Sequence, residues 1–191
     1  MRLILIRHGE TDWNVEGRYQ GQEDPPLNQA GMAQSHQLAE ELKDLGLDLL
    51  YSSPLQRAYQ TAAIISQKLD IPLFIDPRLM EIHQGDWQNR LRSEIENLYP
   101  DLFQKWQDEP WEAAPPKGET LTQVQDRVYA ALDEIISRHQ DATSGIVCHR
   151  IPIALIKMRY QGVDQNIVRK LKLPNIYYEE IQIPGSQSDD A

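Results

Sequence analysis

Residues 3–11 read LILIRHGET, a short apolar run that ends in an arginine, a histidine and a glycine. Four consecutive aliphatic residues are typical of a strand that is buried on both faces of a parallel sheet. In open α/β sheets, ligands bind outside the carboxyl ends of the strands. We therefore expect a buried first strand that delivers Arg7 and His8 to the functional edge of a sheet.

Composition limits the class of protein before any motif is considered. The chain has 191 residues, which favours one domain, and a formal net charge of −10, which argues against nucleic-acid partners because phosphate backbones require a basic face. Cys148 is the only cysteine, so an intrachain disulfide is excluded and a reducing compartment is favoured. Because no apolar run approaches the length of a membrane span, we predict a cytoplasmic protein with no membrane partner.

Strand patterns alternate with helical patterns along the chain. Strands are predicted over residues 47–52, 72–75, 145–148 and 175–183, and helices after Asn28, after Ser53-Pro54, and over 120–138 and 151–160. Residues 14–27 are predicted to be a loop, and the weakly patterned segment 84–116 a small helical and loop cap. This order predicts an α/β fold, a three-layer α/β/α sandwich with a mostly parallel central sheet. Residues 1–183 form the expected single domain, and the polar, acidic residues 184–191 a disordered tail.

Two arginines and two histidines are placed to meet at one edge of this sheet. His8 and His149 each end an apolar strand, and Arg57 lies in the first turn of the helix after the second strand. Because the carboxyl ends of parallel strands share an edge, these side chains and Arg7 are expected to converge. Taken singly, each has a bland explanation as a turn or surface residue. Together they predict an anion site, and a phosphoryl group is the anion that fits best.

The same residues carry a resemblance to a known family. Residues 7–11 (RHGET), Trp13-Asn14, residues 52–62 (SSPLQRAYQTA), Glu81 with Gly85 and Trp87, and a strand-ending His149 follow one another in order. In this respect the chain resembles the histidine phosphatase superfamily, which includes phosphatases and phosphoglycerate mutases. The resemblance spans essentially the whole chain, and several ordered matches make coincidence remote.

The resemblance implies a role for each matching residue. His8 would be the nucleophile, and Glu81 would protonate the departing oxygen and then activate water. The groups that would hold the phosphoryl oxygens are Arg7, Asn14, Arg57 and His149. A neutral imidazole is a good nucleophile, and arginines supply the charge that a metal supplies elsewhere, so no metal and no cofactor are expected.

Some positions depart from the family pattern or carry weaker expectations. Arg150 follows His149 where the family usually has glycine, and it is expected to narrow the pocket, to bind a second anionic group or to turn into solvent. Asn89 also replaces a usual glycine, which predicts a changed path for the loop that holds Glu81. Gln20 and Gly21 are expected to be weak substrate contacts. Gly9 is expected to leave room for the approaching phosphoryl group, and Glu10 and Thr11 to shape the turn.

These inferences predict a metal-independent phosphomonoesterase that acts through a phosphohistidine on small phosphorylated metabolites. One alternative is mutase-type phosphoryl transfer, and the short chain with few basic residues in 84–116 argues for the phosphatase. The other alternative is a catalytically silent relative that binds a phosphorylated ligand or a protein. The expected partner is a small phosphate ester. The sequence leaves its identity open, and it leaves open whether the protein forms a homodimer.

Overall fold

Five strands form one central sheet in the computed structural model, which describes residues 1–183. They are β1 (Arg2–Arg7), β2 (Leu49–Ser52), β3 (Leu73–Ile75), β4 (Thr143–Cys148) and β5 (Tyr178–Gln182). Their spatial order is β3-β2-β4-β1-β5. Strands β1 to β4 pair in parallel, and β5 lies antiparallel to β1 at the edge. The predicted mostly parallel sheet is confirmed, and the predicted tail 184–191 lies outside the described residues.

Helices connect and cover these strands. They are α1 (Asp12–Glu16), α2 (Gln29–Glu41), α3 (Gln56–Leu69), α4 (Arg92–Leu98), α5 (Pro100–Asp108), α6 (Leu121–Arg138), α7 (Arg150–Gln161) and α8 (Ile167–Lys170). Short 3₁₀ turns cover Leu42–Leu45, Pro77–Leu79 and Gly85–Trp87. No helix within residues 1–183 combines the length and the apolar composition needed to cross a lipid bilayer.

The side chains of β1 alternate between two apolar clusters, one on each face of the sheet. Leu3 and Leu5 belong to the cluster that contains the apolar faces of α6 and α7. Ile4 and Ile6 belong to the cluster formed with α2 and α3. All four side chains are fully buried. The three-layer α/β/α sandwich is thereby confirmed, and the aliphatic run in residues 3–6 is explained by burial on both faces.

Two helix starts agree with their sequence signals. The Asn28 side chain accepts a hydrogen bond from the Gly31 N–H, so it caps α2 as predicted. Thr120 and Gln123 form the predicted capping box at the start of α6. These two caps lie at exposed or half-exposed helix ends, where the structure depends on residues that are close in the sequence.

The predicted start of α3 is wrong. Ser53 does not cap the helix, and Pro54 is not its first residue, because α3 begins at Gln56 with Leu55 as its extended N-cap. The Gln56 N–H donates instead to Asp24 Oδ1 at 2.5 Å, so a carboxylate from a distant loop satisfies this helix end. The hydroxyl of Ser53 is thereby available to the site described below.

Residues 84–116 contain short helices that pack over one face of the sheet, as predicted for the cap. Trp87, Ile95, Phe103 and Trp106 are buried in the same apolar cluster as Leu5 of β1. The prediction of an unbroken loop over residues 14–27 is wrong at its beginning, because α1 covers Asp12–Glu16 and is capped by Thr11. The cap and this short helix border the carboxyl edge of the sheet.

Candidate active site

His8 lies just beyond β1, and its ring is held in one orientation. The side chain is 4% exposed, and Nδ1 lies 2.7 Å from the carbonyl oxygen of Gly9. A carbonyl oxygen only accepts hydrogen bonds, so Nδ1 carries the proton and the neutral ring keeps the lone pair on Nε2. His8 therefore has the tautomer that attacks an electrophile through Nε2.

His149 follows β4 and lies beside His8, with the ring centroids 5.1 Å apart. Its Nε2 is 2.8 Å from Ser53 Oγ, which also accepts a hydrogen bond from the Leu55 N–H. We assign the serine hydroxyl as the donor to Nε2, which places the proton of the neutral ring on Nδ1. This Nδ1 is buried and has no partner within residues 1–183. His149 is thereby set up as a hydrogen-bond donor.

The backbone holds the guanidinium groups of Arg7 and Arg57 at the same edge. Arg57 is 1% exposed, and it donates through Nη1 to the Glu23 carbonyl at 2.8 Å and through Nη2 to the Gly21 carbonyl at 2.7 Å. Arg7 donates through Nη1 to the carbonyl of Leu173. No carboxylate in residues 1–183 forms an ion pair with either arginine, and Nε of each is buried without a partner. These two charges are available for an anion.

Burial and positive neighbours keep both histidines neutral. Burial lowers the pKa of His8 well below its usual value, and the charges of Arg57 and Arg7 lower it further. The same causes, again led by burial, lower the pKa of His149. Burial also lowers the pKa of Arg57, to about 10, which still leaves this guanidinium charged at neutral pH. The site therefore combines a neutral nucleophile with cationic neighbours.

Glu81 reaches the site on a loop between β3 and the cap. Its Oε1 accepts hydrogen bonds from the Ile82 N–H at 3.0 Å and the Ile151 N–H at 3.3 Å. The latter contact fixes the carboxylate at the start of α7, next to the loop of His149. Glu81 also lines the same cavity as His8.

Arg127 of α6 clamps the loop that carries Glu81. Its guanidinium donates to the backbone carbonyls of Arg78, Met80 and Glu81 at 2.8, 2.6 and 2.9 Å. It also forms two hydrogen bonds of 2.9 Å with the carboxylate of Glu119. Sequence reasoning missed this clamp, because nothing near Arg127 in the chain marks it as a neighbour of residues 78–81.

Asn14 and Asn175 organise the loop that follows β1. Asn14 Oδ1 accepts hydrogen bonds from the Thr11 N–H and from Asn175 Nδ2, each at 3.1 Å, so its amide NH₂ group is left to face the cavity. Asn175 Nδ2 also lies 3.2 Å from the His8 carbonyl and 3.0 Å from the Gly9 carbonyl. Sequence reasoning placed Asn175 in the last strand, whereas it precedes β5 and supports the nucleophile loop.

A cavity of about 250 Å³ joins these groups. Except for the fully buried His149 behind His8, every residue predicted for the site lines this cavity: Arg7, His8, Asn14, Gln20, Gly21, Arg57, Glu81 and Arg150. Gln84 also lines it, with a buried Oε1 that lacks a partner within residues 1–183, and no sequence motif marks this residue. A larger cavity of about 550 Å³ near the β3 edge contains none of the predicted residues.

Two expectations about loop residues are wrong. A Cβ at Gly9 would lie 2.8 Å from the Gly31 carbonyl of α2, so this glycine permits helix packing rather than the approach of a phosphoryl group. Asn89 was expected to change the path of the loop that holds Glu81, because it replaces a glycine. Its φ of 63° lies in the left-handed region that glycine favours, so the backbone here has a conformation that glycine would also adopt. Asparagine tolerates this region better than most residues. As expected, Glu10 and Thr11 shape the turn, by bonding Asn28 and by capping α1.

The chemistry available here is that of an anion site built from charged and polar side chains. In the part of the chain that the structure describes, no group of three or more His, Cys, Asp or Glu side chains is arranged to hold a metal ion. The arrangement offers a neutral imidazole nucleophile, two unpaired guanidiniums, a second imidazole that donates, and one carboxyl group. These groups match the needs of phosphoryl transfer to nitrogen with proton donation to a leaving oxygen.

Known proteins share this sequence and fold over most of their length. The family model described as histidine phosphatase superfamily (branch 1) matches residues 3–189. Phosphoserine phosphatase 1 from Hydrogenobacter thermophilus is 37% identical over 183 residues, which cover 96% of this chain and 87% of that protein. Probable phosphoglycerate mutase GpmB from Yersinia pestis is 33% identical over 179 residues, which cover 92% and 81%. The structure of mycobacterial glucosyl-3-phosphoglycerate phosphatase with VO₃ aligns with a TM-score of 0.87 at 28% identity, covering 95% of this chain and 90% of that one.

Proposed function

Because this chain belongs to the histidine phosphatase superfamily, we propose that it hydrolyses small phosphate monoesters through a phosphohistidine formed on His8. One observation carries the proposal. Three buried nitrogen atoms beside the His8 ring, Nε of Arg7, Nε of Arg57 and Nδ1 of His149, have no protein partner within residues 1–183. Buried donors are normally satisfied, and the oxygens of a phosphoryl group would satisfy these three.

The proposed reaction has two steps. His8 Nε2 attacks phosphorus as the ester P–O bond breaks, and Glu81 donates a proton to the departing alkoxide, which leaves as an alcohol. Water then attacks the phosphohistidine while Glu81 takes a proton from it, and inorganic phosphate and neutral His8 are released. Arg7 and Arg57 stabilise the charge on the transferring group in both steps, and each such preorganised donor is worth on the order of 100- to 1000-fold in rate.

The chain is a hydrolase of the phosphatase type, and small metabolites are its substrate class. Its relatives include proteins named for phosphoserine and for glucosyl-3-phosphoglycerate, which are both small phosphate esters. In this proposal residues 1–183 form one catalytic domain, and residues 84–116 are its cap. Its proposed location is the cytoplasm, an inference that rests on its single cysteine.

Trapping the intermediate tests the proposal. Wild type, mixed rapidly with ³²P-labelled substrate and quenched, is expected to carry an acid-labile, alkali-stable phosphoryl group, and His8→Ala is expected to carry none. His36→Ala is the matched control, because His36 is exposed on α2, outside the cavity. If His8→Ala still forms the phosphoenzyme or hydrolyses p-nitrophenyl phosphate as fast as wild type, the proposal fails.

Phosphoglycerate mutase-type transfer is the second candidate, since a probable mutase is 33% identical over most of this chain. A mutase must keep water away from the phosphohistidine while product and substrate exchange. Incubation with 3-phosphoglycerate separates the two candidates. Phosphate release faster than formation of 2-phosphoglycerate supports the phosphatase, and the reverse selects the mutase.

A further inference from the structure

Arg150 lies between the phosphate cavity and a second cavity. The second cavity has a volume of about 180 Å³ and lies against the cap, with Trp106 and Val168 among its lining residues. Arg150 and Tyr19 line both cavities. A substrate whose phosphoryl group is bound at His8 would therefore extend past Arg150 toward this second space.

The charge of Arg150 is not neutralised by the protein. It is half-buried at the start of α7, and its Nη1 donates to the Val168 carbonyl at 2.8 Å. No carboxylate within residues 1–183 forms an ion pair with it. Apart from Arg7 and Arg57 of the phosphate site, the arginines at these cavities differ: Arg18 pairs with Glu16 at 2.5 Å, and Arg92 pairs with Glu96 at 2.8 Å. In a chain with a net charge of −10, a half-buried guanidinium without an ion pair is available to bind an anionic ligand.

Electrostatics place this guanidinium close to both cavities. Burial lowers the pKa of Arg7 and the charge of Arg150 lowers it further, although Glu81 opposes the shift. Burial raises the pKa of the Tyr19 hydroxyl, and the charges of Arg92 and Arg150 oppose that rise. Arg150 is thus near the phosphate site on one side and near the Tyr19 hydroxyl on the other.

We propose that Arg150 is a specificity residue that binds a carboxylate on the substrate, so that the preferred substrates are phosphate monoesters bearing a carboxylate. This inference rests on the proposed function. The two charges of Arg7 and Arg57 match a phosphoryl dianion, which leaves one unpaired positive charge. A carboxylate carries one negative charge and has the planar geometry that a guanidinium binds with two parallel hydrogen bonds. The hydroxyl of Tyr19, a residue that lines both cavities with Arg150, is an uncharged donor to the same carboxylate.

Matched substrates test this assignment. O-phosphoserine is compared with phosphoethanolamine, and 3-phosphoglycerate with glycerol 3-phosphate, because the second member of each pair lacks the carboxylate. Wild type is expected to prefer the carboxylated member in kcat/KM, and Arg150→Gln to reduce that preference by about 10- to 100-fold, the range for a lost hydrogen bond to a charged group. Arg150→Lys keeps the charge but lacks the planar guanidinium, so its preference for the carboxylated member is expected to lie between those of wild type and Arg150→Gln.

The control variant is Arg159→Gln. Arg159 lies on the same helix but pairs with Asp133 and lines neither cavity, so wild-type preference is expected. The assignment is overturned if wild type shows no preference for the carboxylated members, or if Arg150→Gln keeps the wild-type preference.

A binding measurement separates this inference from the proposed function. Dissociation constants of 3-phosphoglycerate and glycerol 3-phosphate are measured by calorimetry on His8→Ala and on His8→Ala combined with Arg150→Gln. If wild type hydrolyses none of the esters, p-nitrophenyl phosphate included, the proposed function fails while the ratio of dissociation constants still decides on Arg150. An equal ratio in the two variants overturns the assignment.

Discussion

Replacing Arg127 by methionine is expected to damage catalysis through Glu81 without touching the substrate. Methionine keeps most of the side-chain length but removes the guanidinium, which donates to three backbone carbonyls of residues 78–81 and to Glu119. Arg127 lies at 17% side-chain exposure, so water replaces these donors poorly. The loop that carries Glu81 loses its anchor.

The expected magnitude follows from these contacts. The carbonyls of Arg78 and Met80 are left without a donor, and at about 1 kcal/mol each they lower the free energy of unfolding by about 2 kcal/mol. The Glu81 carbonyl keeps Gln22 Nε2 as a donor at 3.0 Å, and the Glu119 carboxylate, which loses its ion pair, adds to the loss. A displacement of Glu81 by about 1 Å costs on the order of 100-fold in rate. Loss of the whole proton-transfer contribution, roughly 100- to 10,000-fold, is the upper limit.

Leaving-group dependence distinguishes positioning from simple destabilisation. The rate of phosphoenzyme formation is measured by rapid quench with an alkyl phosphate and with p-nitrophenyl phosphate, whose leaving group needs little help from an acid. Arg127→Met is expected to slow the alkyl ester by about 100-fold and the aryl ester by less than about 10-fold. Glu81→Gln is expected to show the same bias.

The control is Ile135→Val, which weakens the buried face of the same helix by about 1 kcal/mol at a position outside the cavity. It is expected to leave the leaving-group bias at the wild-type level. If Arg127→Met slows both esters equally, Arg127 supports the fold alone and the positioning argument is refuted.

Three further outcomes are expected. The pKa values of His8 and His149 are lowered in the folded state, so below the unfolded value of 6.5 the unfolded chain binds protons that the folded chain does not. Urea titrations between pH 6.5 and about 5.5 should therefore show the free energy of unfolding fall by about 1 kcal/mol per histidine. In His149→Gln the total fall should be half that of wild type. Asn175→Ala removes the amide that supports the loop of His8 and is expected to lower kcat/KM by about 10- to 100-fold, and a wild-type value would show that other contacts suffice. Gly31→Ala places a Cβ 2.1 Å from the Glu10 carbonyl oxygen and is expected to lower the free energy of unfolding by about 2 kcal/mol or more, whereas unchanged stability would mean that α2 can shift freely.

The features that sequence reasoning predicted correctly have local causes. The aliphatic run of residues 3–6 predicted β1, because a strand that is buried on both faces needs apolar side chains at every position. Thr120 with Gln123 predicted the start of α6. The positions of His8 and His149 at strand ends were enough to bring them together, because parallel strands share one carboxyl edge.

The features that it missed depend on partners far away in the chain. Ser53 has the local signature of a helix cap, but its hydroxyl bonds His149, 96 positions later. Asn175 supports a carbonyl 166 positions earlier, and Arg127 holds a carbonyl 46 positions earlier. Such contacts follow from the assembled fold, so neither periodicity nor capping rules could predict them.

The pairing of β1 has a consequence for biosynthesis. β1 lies between β4 and β5, its Arg7 N–H donates to the Tyr177 carbonyl at 2.8 Å, and the loop of His8 is supported by Asn175. β1 is thus translated more than 130 residues before β4 and β5, the strands that it pairs with. A nascent chain that stalls near residue 170 would present the unpaired edge of an apolar strand, which is a target for chaperones and for aggregation. Phosphoryl transfer therefore begins only after β5 has been translated and has paired with β1.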